Sequence, residues 1–243
     1  HSDGTSGDLP SYMPALSADG RYVAFLSAAP NLVNGDDNGA ADIFVHDRQT
    51  GTTELVSVAT DGTQADQGAM RLDISADGRF VVFESTSTTL VSGDDNGMSD
   101  IFIRDRQTDT TDRVSVTAGG TQGNGKSEHP VISSDGNYVA FESVADTLVS
   151  GDDNDEADIF VHDRQTGTLT RVSVASDGTE GNDASERPTI SSGGRFVAFQ
   201  SDATNLVSDD TTKNTDIFLH ETGATDSVGL DASTLVVDPT EAT

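Results

Sequence analysis

The chain has 243 residues, of which 42 are acidic and 13 are Lys or Arg, so its formal net charge is −29. It contains no cysteine, which excludes disulfides, cysteine-based zinc sites and cysteine nucleophiles. No stretch of 18 apolar residues occurs, so we expect no membrane insertion, and the negative charge excludes nucleic acid as a partner. The length allows one or two globular domains with a substantial core.

A gapless repeat of 58 residues runs through most of the chain. Asp42-Ile43-Phe44 recurs at 100–102, 158–160 and 216–218. The turn Asp19-Gly20 recurs at 77–78 and 135–136, and as Gly193-Gly194 in the fourth copy. We assign four units at about 1–60, 61–118, 119–176 and 177–234, which form one domain over 1–234, followed by a C-terminal tail at 235–243. A period of this length indicates a repeat architecture.

Each unit is predicted to form four short strands and no helix. In the second unit these strands lie at 72–75, 79–85, 100–104 and 113–117, with Asp77-Gly78 forming a hairpin turn. The second and third strands are continuously apolar, which is typical of a sheet that is covered on both faces. An all-β fold follows, namely a β-propeller built from four 58-residue, four-stranded blades. We expect its core to include Val23, Phe25, Ile43, Phe44, Val81, Phe83, Ile101, Val139, Phe141, Ile159, Val197, Phe199 and Ile217.

The end of the fourth unit departs from the repeat. Its last strand is degenerate around 227–231, and Leu235-Val236-Val237 are expected to replace it as an outer strand. A compact four-bladed ring is the favoured arrangement. Two alternatives stay open: a homodimer in which two chains share an eight-bladed ring, and a portion of a larger propeller.

Two segments of the second unit, 74–85 and Asp100-Ile101-Phe102-Ile103-Arg104-Asp105, resemble the blades of TolB-like and WD-repeat-like propellers. The resemblance extends over nearly the whole chain and implies the propeller fold. It does not imply one activity, because such propellers serve many roles. No Gly-x-Ser-x-Gly motif occurs, so the chain is not expected to be a propeller-gated peptidase.

The loop between the second and third strands carries a candidate metal site. In the first copy, residues 34–42, oxygen side chains occupy positions 1, 3, 5 and 9, and glycine occupies position 6. Alternate residues of a tight loop can face a Ca²⁺ ion together. The pattern resembles the short Asp-x-Asp-x-Asp-Gly-x-x-Asp calcium loops of some propellers, including integrin α-chains. The resemblance implies these ligands: Asn34, Asp36, Asn38, the Ala40 carbonyl and Asp42.

The same loop recurs with changes in the other three units. The corresponding ligands are Ser92, Asp94, Asn96, the Met98 carbonyl and Asp100 in the second, and Asp152, Asn154, the Glu156 carbonyl and Asp158 in the third. The fourth has Thr212 and Lys213 at its centre and is expected to bind no ion. The alternative is a surface turn with Asx hydrogen bonds and no metal. Repulsion among Asp36, Asp37 and Asp42 favours a cation.

The third strands end in His-Asp-Arg or a close variant, at His46, Arg104, His162 and His220. A histidine beside a carboxylate suggests acid–base chemistry. Repetition around the ring argues instead for a structural turn, in which Asp caps the turn and Arg covers a neighbouring residue.

Residues just before each first strand differ between units and are expected to border the central channel. The candidate binding residues are Tyr12, Arg71, Glu128, His129, Glu186 and Arg187. In an enzyme, Glu128 and Glu186 would be paired carboxylates, with His129 or Tyr12 as the base. The alternative is that these positions are exposed and without a role, and the absence of Trp weakens a sugar-binding interpretation.

Two functions therefore stay open. The first is a calcium-stabilised, non-enzymatic propeller that binds a protein or glycan ligand. The second is a secreted polysaccharide lyase or glycoside hydrolase with its site at the channel mouth. The acidity, the presence of only two Lys residues and a start at His1 without Met lead us to expect an extracellular or periplasmic location.

Overall fold

The structure is a computed structural model that describes residues 4, 6–208, 210 and 214–224. These residues contain fifteen β-strands and no helix. The strands are β1 (Ser11–Leu16), β2 (Tyr22–Ser27), β3 (Asp42–Asp47), β4 (Thr52–Leu55), β5 (Ala69–Ile74), β6 (Phe80–Ser85), β7 (Asp100–Asp105), β8 (Thr110–Arg113), β9 (Ser127–Ile132), β10 (Tyr138–Ser143), β11 (Asp158–Asp163), β12 (Thr168–Arg171), β13 (Ser185–Ile190), β14 (Phe196–Ser201) and β15 (Asp216–Glu221).

Each 58-residue unit forms one antiparallel sheet whose strands lie in chain order. The sheets are β1–β4, β5–β8, β9–β12 and the three-stranded β13–β15. Hydrophobic clusters join the first sheet to the second, the second to the third and the third to the fourth. The all-β prediction is confirmed, and the sheets stack as successive blades. The predicted outer strand at 227–231 or 235–237 lies outside the described residues.

The two central strands of each blade form its core. Every residue of β6 and β7 is buried, as the continuous apolar runs predict. A phenylalanine pair joins these strands in each blade, and in the third blade the Phe141 and Phe160 rings stack with centroids 5.8 Å apart. An equivalent stacked pair occurs in each of the other three blades, so the four blades share the same core packing.

The outward faces of the two terminal blades are less buried than the equivalent faces inside the stack. Ile43, Ile101 and Ile159 are fully buried, whereas Ile217, at the same position in the fourth blade, is 48% exposed. The core prediction for Ile217 is wrong because no described residue covers that face of β15. Val23 and Phe25, on the first blade, are only half-buried. A ring closed between the first and fourth blades would cover these faces, so the described residues do not show the expected closure.

The fourth strand of the second blade begins earlier than the sequence predicts. In the second blade it spans Thr110–Arg113 rather than 113–117. Thr110 pairs with Asp105 directly after a tight turn, so pairing begins before the apolar residues. Val114 donates to the Ile101 carbonyl, and Val116 then forms a separate bridge with Gln122. The predicted segment therefore contains the end of the strand and the turn that leaves it.

The His-Asp-Arg segments form structural turns, as predicted. Asp105 Oδ1 accepts hydrogen bonds from the backbone N–H groups of Gln107 and Thr108. The Arg106 guanidinium lies 4.5 Å from the centre of the Tyr22 ring on the preceding blade and donates to the Gly78 carbonyl. Gly78 has φ +73°, and a Cβ there would lie 2.1 Å from the Tyr22 ring, so both the turn and the blade contact require glycine.

Replacing Phe141 by Ala should reduce the free energy of unfolding by about 3–5 kcal/mol, because it removes a fully buried ring and leaves a cavity. Phe25→Ala removes the equivalent ring from the half-covered face of the first blade and should cost clearly less. Chemical denaturation of both variants measures the difference. Equal losses would contradict the assignment of the first blade's outer face as partly exposed.

Candidate functional site

The first strand of every blade contains a bulge at the same repeat position. Met13, Arg71, His129 and Arg187 have φ values of +50°, +24°, +52° and +53°, and the pairing register with the second strand shifts beside each of them. Non-glycine residues rarely adopt this region, and the cost is of order 1–3 kcal/mol for each. Bulges of this kind re-aim side chains next to binding sites.

The bulges of the two central blades bring a basic side chain against a buried carboxylate. Arg71 Nη1 donates to Glu84 Oε2 at 3.0 Å, and Glu84 is fully buried with its Oε1 unpartnered. One blade later, His129 Nδ1 lies 2.7 Å from Glu142 Oε1, without the alignment of a hydrogen bond. Glu142 Oε2 accepts a hydrogen bond from the Arg187 N–H at 2.7 Å, which links the third blade to the fourth.

A cavity of about 350 Å³ opens between the third and fourth blades, and we call it the mouth cavity. Its charged lining consists of Lys126, Glu128, His129, Glu142, Glu156, Glu186 and Arg187. Lys126 Nζ donates to Glu128 Oε2 at 2.8 Å, and Gln200 Nε2 donates to Glu186 Oε2 at 3.1 Å. Ligand atoms of Glu128, His129 and Glu142 lie within 4.8 Å of one another, a spacing at which they could hold a metal ion.

The structure brings together four of the six predicted binding residues. Glu128, His129, Glu186 and Arg187 line the mouth cavity. Tyr12 lies on β1, is 58% exposed and does not line the cavity. Arg71 does not line it either: it lies on the second blade and pairs with Glu84. Sequence reasoning missed Lys126, Glu84 and Glu142. The two glutamates left a signal, because a charged residue interrupts the apolar run of the second strand in the second and third units.

The candidate metal loops share a buried pair of aspartates. Asp36 and Asp42 in the first blade correspond to Asp94 and Asp100 in the second and to Asp152 and Asp158 in the third, and all six are at most 8% exposed. A serine hydroxyl donates to the second aspartate of each pair, from Ser57, Ser115 and Ser173. The predicted ligands Asn34, Ser92, Met98 and Glu156 are exposed, and Ala40 is half-buried.

The loop asparagines form Asx turns. Asn38 Oδ1 accepts a hydrogen bond from the Ala40 N–H at 2.8 Å, and Asn96 and Asn154 do the same with Met98 and Glu156. Asn38 Nδ2 donates to Asp42 Oδ2 and to the Ala65 carbonyl. In this arrangement the amide oxygens are engaged by the backbone, which leaves the aspartates as the side chains most available to a cation.

Arginines stand between the paired aspartates of the second and third blades. Arg113 Nη1 lies 3.2 Å from Asp94 and 3.3 Å from Asp100. Arg171 Nη1 lies 3.3 Å from Asp152 and 3.2 Å from Asp158. Arg171 also contacts Glu180, and ligand atoms of Asp152, Asp158 and Glu180 lie within 4.8 Å of one another.

Burial raises the pKa of the loop aspartates in spite of these ion pairs. The pKa of Asp94 rises to about 6 and that of Asp152 to about 7, mainly through burial and then through the neighbouring carboxylate, while the arginine opposes the rise. The pKa of Asp42 is also raised by burial, and Asp36 adds to the effect. The loops therefore hold negative charge that costs folding free energy.

Comparison with solved structures supports the propeller assignment. TolB from Acinetobacter baumannii superposes with a TM-score of 0.53 at 19% identity, covering 89% of this chain and 42% of that one. The β-propeller domain of the Trilobed protease from Pyrococcus furiosus gives 0.52 at 10% identity, covering 95% of this chain and 57% of that one. An oligogalacturonate lyase in complex with manganese also gives 0.52 at 10% identity, covering 88% and 51%.

These likenesses show the fold, and the chain spans about half the length of the propeller proteins it matches. No family model matches the sequence, and no curated protein matches it. Among the described residues, no helix is long and apolar enough to cross a membrane. The structural neighbours therefore support a TolB-like β-propeller.

The raised aspartate pKa values predict an unusual pH dependence in chelator-treated protein. A carboxyl group whose folded pKa exceeds its unfolded value stabilises most below the unfolded pKa, and the contribution is lost as pH rises through the folded pKa. The pKa values of Asp94 and Asp152 are about 6 and 7 against 3.8, so these two groups should add about 1–3 kcal/mol to the free energy of unfolding as pH falls from 8 to 5. Burial lowers the pKa of His162 and that of His220, so these two histidines act in the opposite direction over the same range.

Denaturation in EDTA at several pH values measures this dependence. Asp152→Asn should remove part of the slope, because its amide does not ionise in this range. Asp112→Asn, a change at an exposed position, serves as the control and should leave the slope intact. A slope that Asp152→Asn leaves unchanged would contradict the electrostatic assignment of the loops.

Proposed function

We propose that this chain is a calcium-stabilised β-propeller that acts as a secreted binding module in an extracellular or periplasmic setting. Its ligand site is the mouth cavity. The observation that carries the proposal is the repeated bulge, which holds one of three residue types, Met, Arg or His, in a costly conformation at the same position of the four blades. A position that is fixed in backbone but varied in side chain supplies the asymmetry that ligand recognition requires.

The charge of the mouth cavity favours a particular ligand chemistry. Four carboxylates, from Glu128, Glu142, Glu156 and Glu186, face two permanent cations, Lys126 and Arg187. The excess of negative charge favours a basic protein segment or a neutral glycan and disfavours acidic polysaccharides, which the overall charge of −29 would also repel.

The alternative is a glycan-active enzyme, a lyase or hydrolase, that works at the same cavity. Its support is the proximity of His129 to Glu142 and Glu128, because a histidine and carboxylates within 4.8 Å could act as acid and base or hold a metal ion. An oligogalacturonate lyase in complex with manganese shares the fold. Tyr12, the other candidate base, lies outside the cavity, which leaves His129 as the residue for that role.

Arrays of basic peptides and of neutral and acidic polysaccharides separate these functions. We expect Glu128→Gln/Glu186→Gln to weaken binding of the captured ligand by at least ~10-fold, since each charged hydrogen bond contributes about 1.5–3 kcal/mol. The double variant Asp8→Asn/Asp112→Asn makes the same charge change at exposed positions and should bind normally.

The array experiment can also overturn the proposal. Turnover of a polysaccharide that Glu128→Gln abolishes would establish the enzyme instead of the binding module. Equal losses in both double variants would show that net charge, and not the mouth cavity, determines binding.

Calcium removal should destabilise the protein. An ion that binds only the folded state at a hundredfold excess over Kd contributes about 2.7 kcal/mol per site, or roughly 5–10 °C in melting temperature for a chain of this size. EDTA should therefore lower the melting temperature by at least one such step, and high NaCl should restore only part of it, because screening does not replace the ligand geometry. Asp42→Ala should abolish one site and Asp216→Ala none. An unchanged melting curve in EDTA would contradict the calcium assignment.

A further inference from the structure

One repeat position at the end of the fourth strand distinguishes the three metal loops. Arg113 ends β8 and Arg171 ends β12, and each pairs with the middle phenylalanine of the third strand. The equivalent residue of the first blade is Leu55, which pairs in the same register with Phe44. The backbone is therefore the same in all three blades, and the guanidinium is missing from one of them.

The buried aspartates of the first blade consequently have no basic partner among the described residues. Gln64 Nε2 instead donates to Asp36 Oδ1 at 2.8 Å and to Asp42 Oδ2 at 3.2 Å, which places both carboxylates around one point. Asp36 is 7% exposed, and its Oδ2 is buried without any hydrogen-bond partner. An unpartnered carboxylate oxygen at this depth is costly, and a cation removes that cost.

We propose that the loop of the first blade takes a divalent cation of the calcium type, and that the guanidinium groups of Arg113 and Arg171 serve as built-in cations in the second and third blades. The inference rests on the calcium binding proposed above and narrows it to one loop. Asp36 and Asp42 supply the charged ligands, and backbone carbonyls and water complete an all-oxygen shell, which Ca²⁺ prefers.

Gln64 can join the same shell by turning its amide. Its Nε2 now faces the two carboxylates, while its Oε1 accepts a hydrogen bond from the Asp37 N–H at 3.2 Å. Rotation of the amide presents Oε1 to a cation that lies between the aspartates. The equivalent Gln122 already turns its Oε1 to the Arg113 guanidinium, at 2.8 Å, so this orientation is accessible to the same backbone.

The third blade carries three carboxylates and is the strongest competitor for calcium. Arg171 contacts Asp152, Asp158 and Glu180 together, so its guanidinium occupies the space that an ion would need. The arginine is 9% exposed and would have to leave a buried position. The net charge of these ionisable groups is −2 in both loops, from two aspartates in the first and from three carboxylates and one arginine in the third. Net charge therefore does not predict which loop binds calcium, and the position of the guanidinium decides.

Exchange of the residues at this repeat position tests the inference. Calorimetric titration of the chelator-treated chain with CaCl₂ should show one strong site in the native sequence. Leu55→Arg should weaken calcium binding by ~10–100-fold, an effect comparable to loss of a ligand-supporting group, and should leave the protein folded without calcium. Leu55→Met keeps an apolar side chain at the same position and should bind calcium like the native chain.

The reciprocal variant and a pair of aspartate variants complete the test. Arg113→Leu should create a second calcium site between Asp94 and Asp100. Should that variant fail to fold, the comparison of Asp36→Asn with Asp37→Asn decides, because Asp36 is buried with its Oδ2 unpartnered while its neighbour Asp37 is exposed. Only Asp36→Asn should lose the site.

The outcomes separate this inference from the proposed function. Calcium binding that survives in Leu55→Arg, or that is lost in Asp94→Asn or Asp152→Asn but not in Asp36→Asn, would overturn the assignment to the first loop while leaving calcium stabilisation in place. No calcium uptake by the native chain would overturn both the assignment and the calcium part of the proposed function. Ligand binding at the mouth cavity is measured separately and would not be affected by that result.

Discussion

Each sheet of this chain is apolar on both faces, and the remaining features depend on whether a neighbouring sheet covers each face. Inside the stack both faces are covered, and Ile101 and Phe141 are fully buried. At the two ends the same repeat positions hold Ile217, which is exposed, and Phe25, which is half-buried. Burial of apolar area is the largest favourable term in folding, so stability depends on the contacts between successive blades.

The same stacking determines where charge can be buried. The loops between the second and third strands lie against the segment that joins their blade to the next one, and the paired aspartates in these loops are buried. Ion pairs buried in this way offset desolvation only when their geometry is good, and removal of one partner leaves an uncompensated charge. Arg113 and Arg171 each place a positive charge within 3.3 Å of both aspartates of their loop, while Asp36 and Asp42 face an amide.

Much of the fold could be predicted from the repeat, because the period, the Asp-Gly turns and the apolar runs are properties of the sequence alone. The beginning of the fourth strand could not, since β8 starts at Thr110, at a polar residue whose pairing depends on the preceding turn. The exposure of Ile217 could not be predicted either. The repeat shows which side chains lie on the faces of each blade, but it does not show whether a neighbouring sheet covers the outer face of the last blade. The tight turn before β8 contains Asp109 with φ +56°, and the presence of an aspartate does not by itself predict a positive φ.

The candidate sites were predicted in part, for a related reason. The aspartates of the loops were identified, and so were four residues of the mouth cavity, because they stand at equivalent repeat positions. The bulge at His129 was not predictable, since only the backbone shows that a non-glycine residue adopts a positive φ. Arg113 and Arg171 are visible in the sequence, but their role beside the loop aspartates could not be predicted. That role depends on the pairing register of the fourth strand with the third, which places the arginine beside the loop that precedes the third strand.

In a repeat protein, then, a difference between copies is informative only where the backbone is shared. Many surface positions differ between units as Leu55 differs from Arg113. These two residues, however, have the same strand pairing and lie in blades with equivalent buried aspartates. A nearby positive charge lowers the cost of burying these aspartates, so the missing arginine is the observation from which we infer a bound cation in the first blade. The mouth cavity follows the same logic: the bulge is common to the blades, and the side chain that it presents is not. Fixed geometry with variable chemistry is the condition under which a symmetric scaffold acquires a single distinctive site.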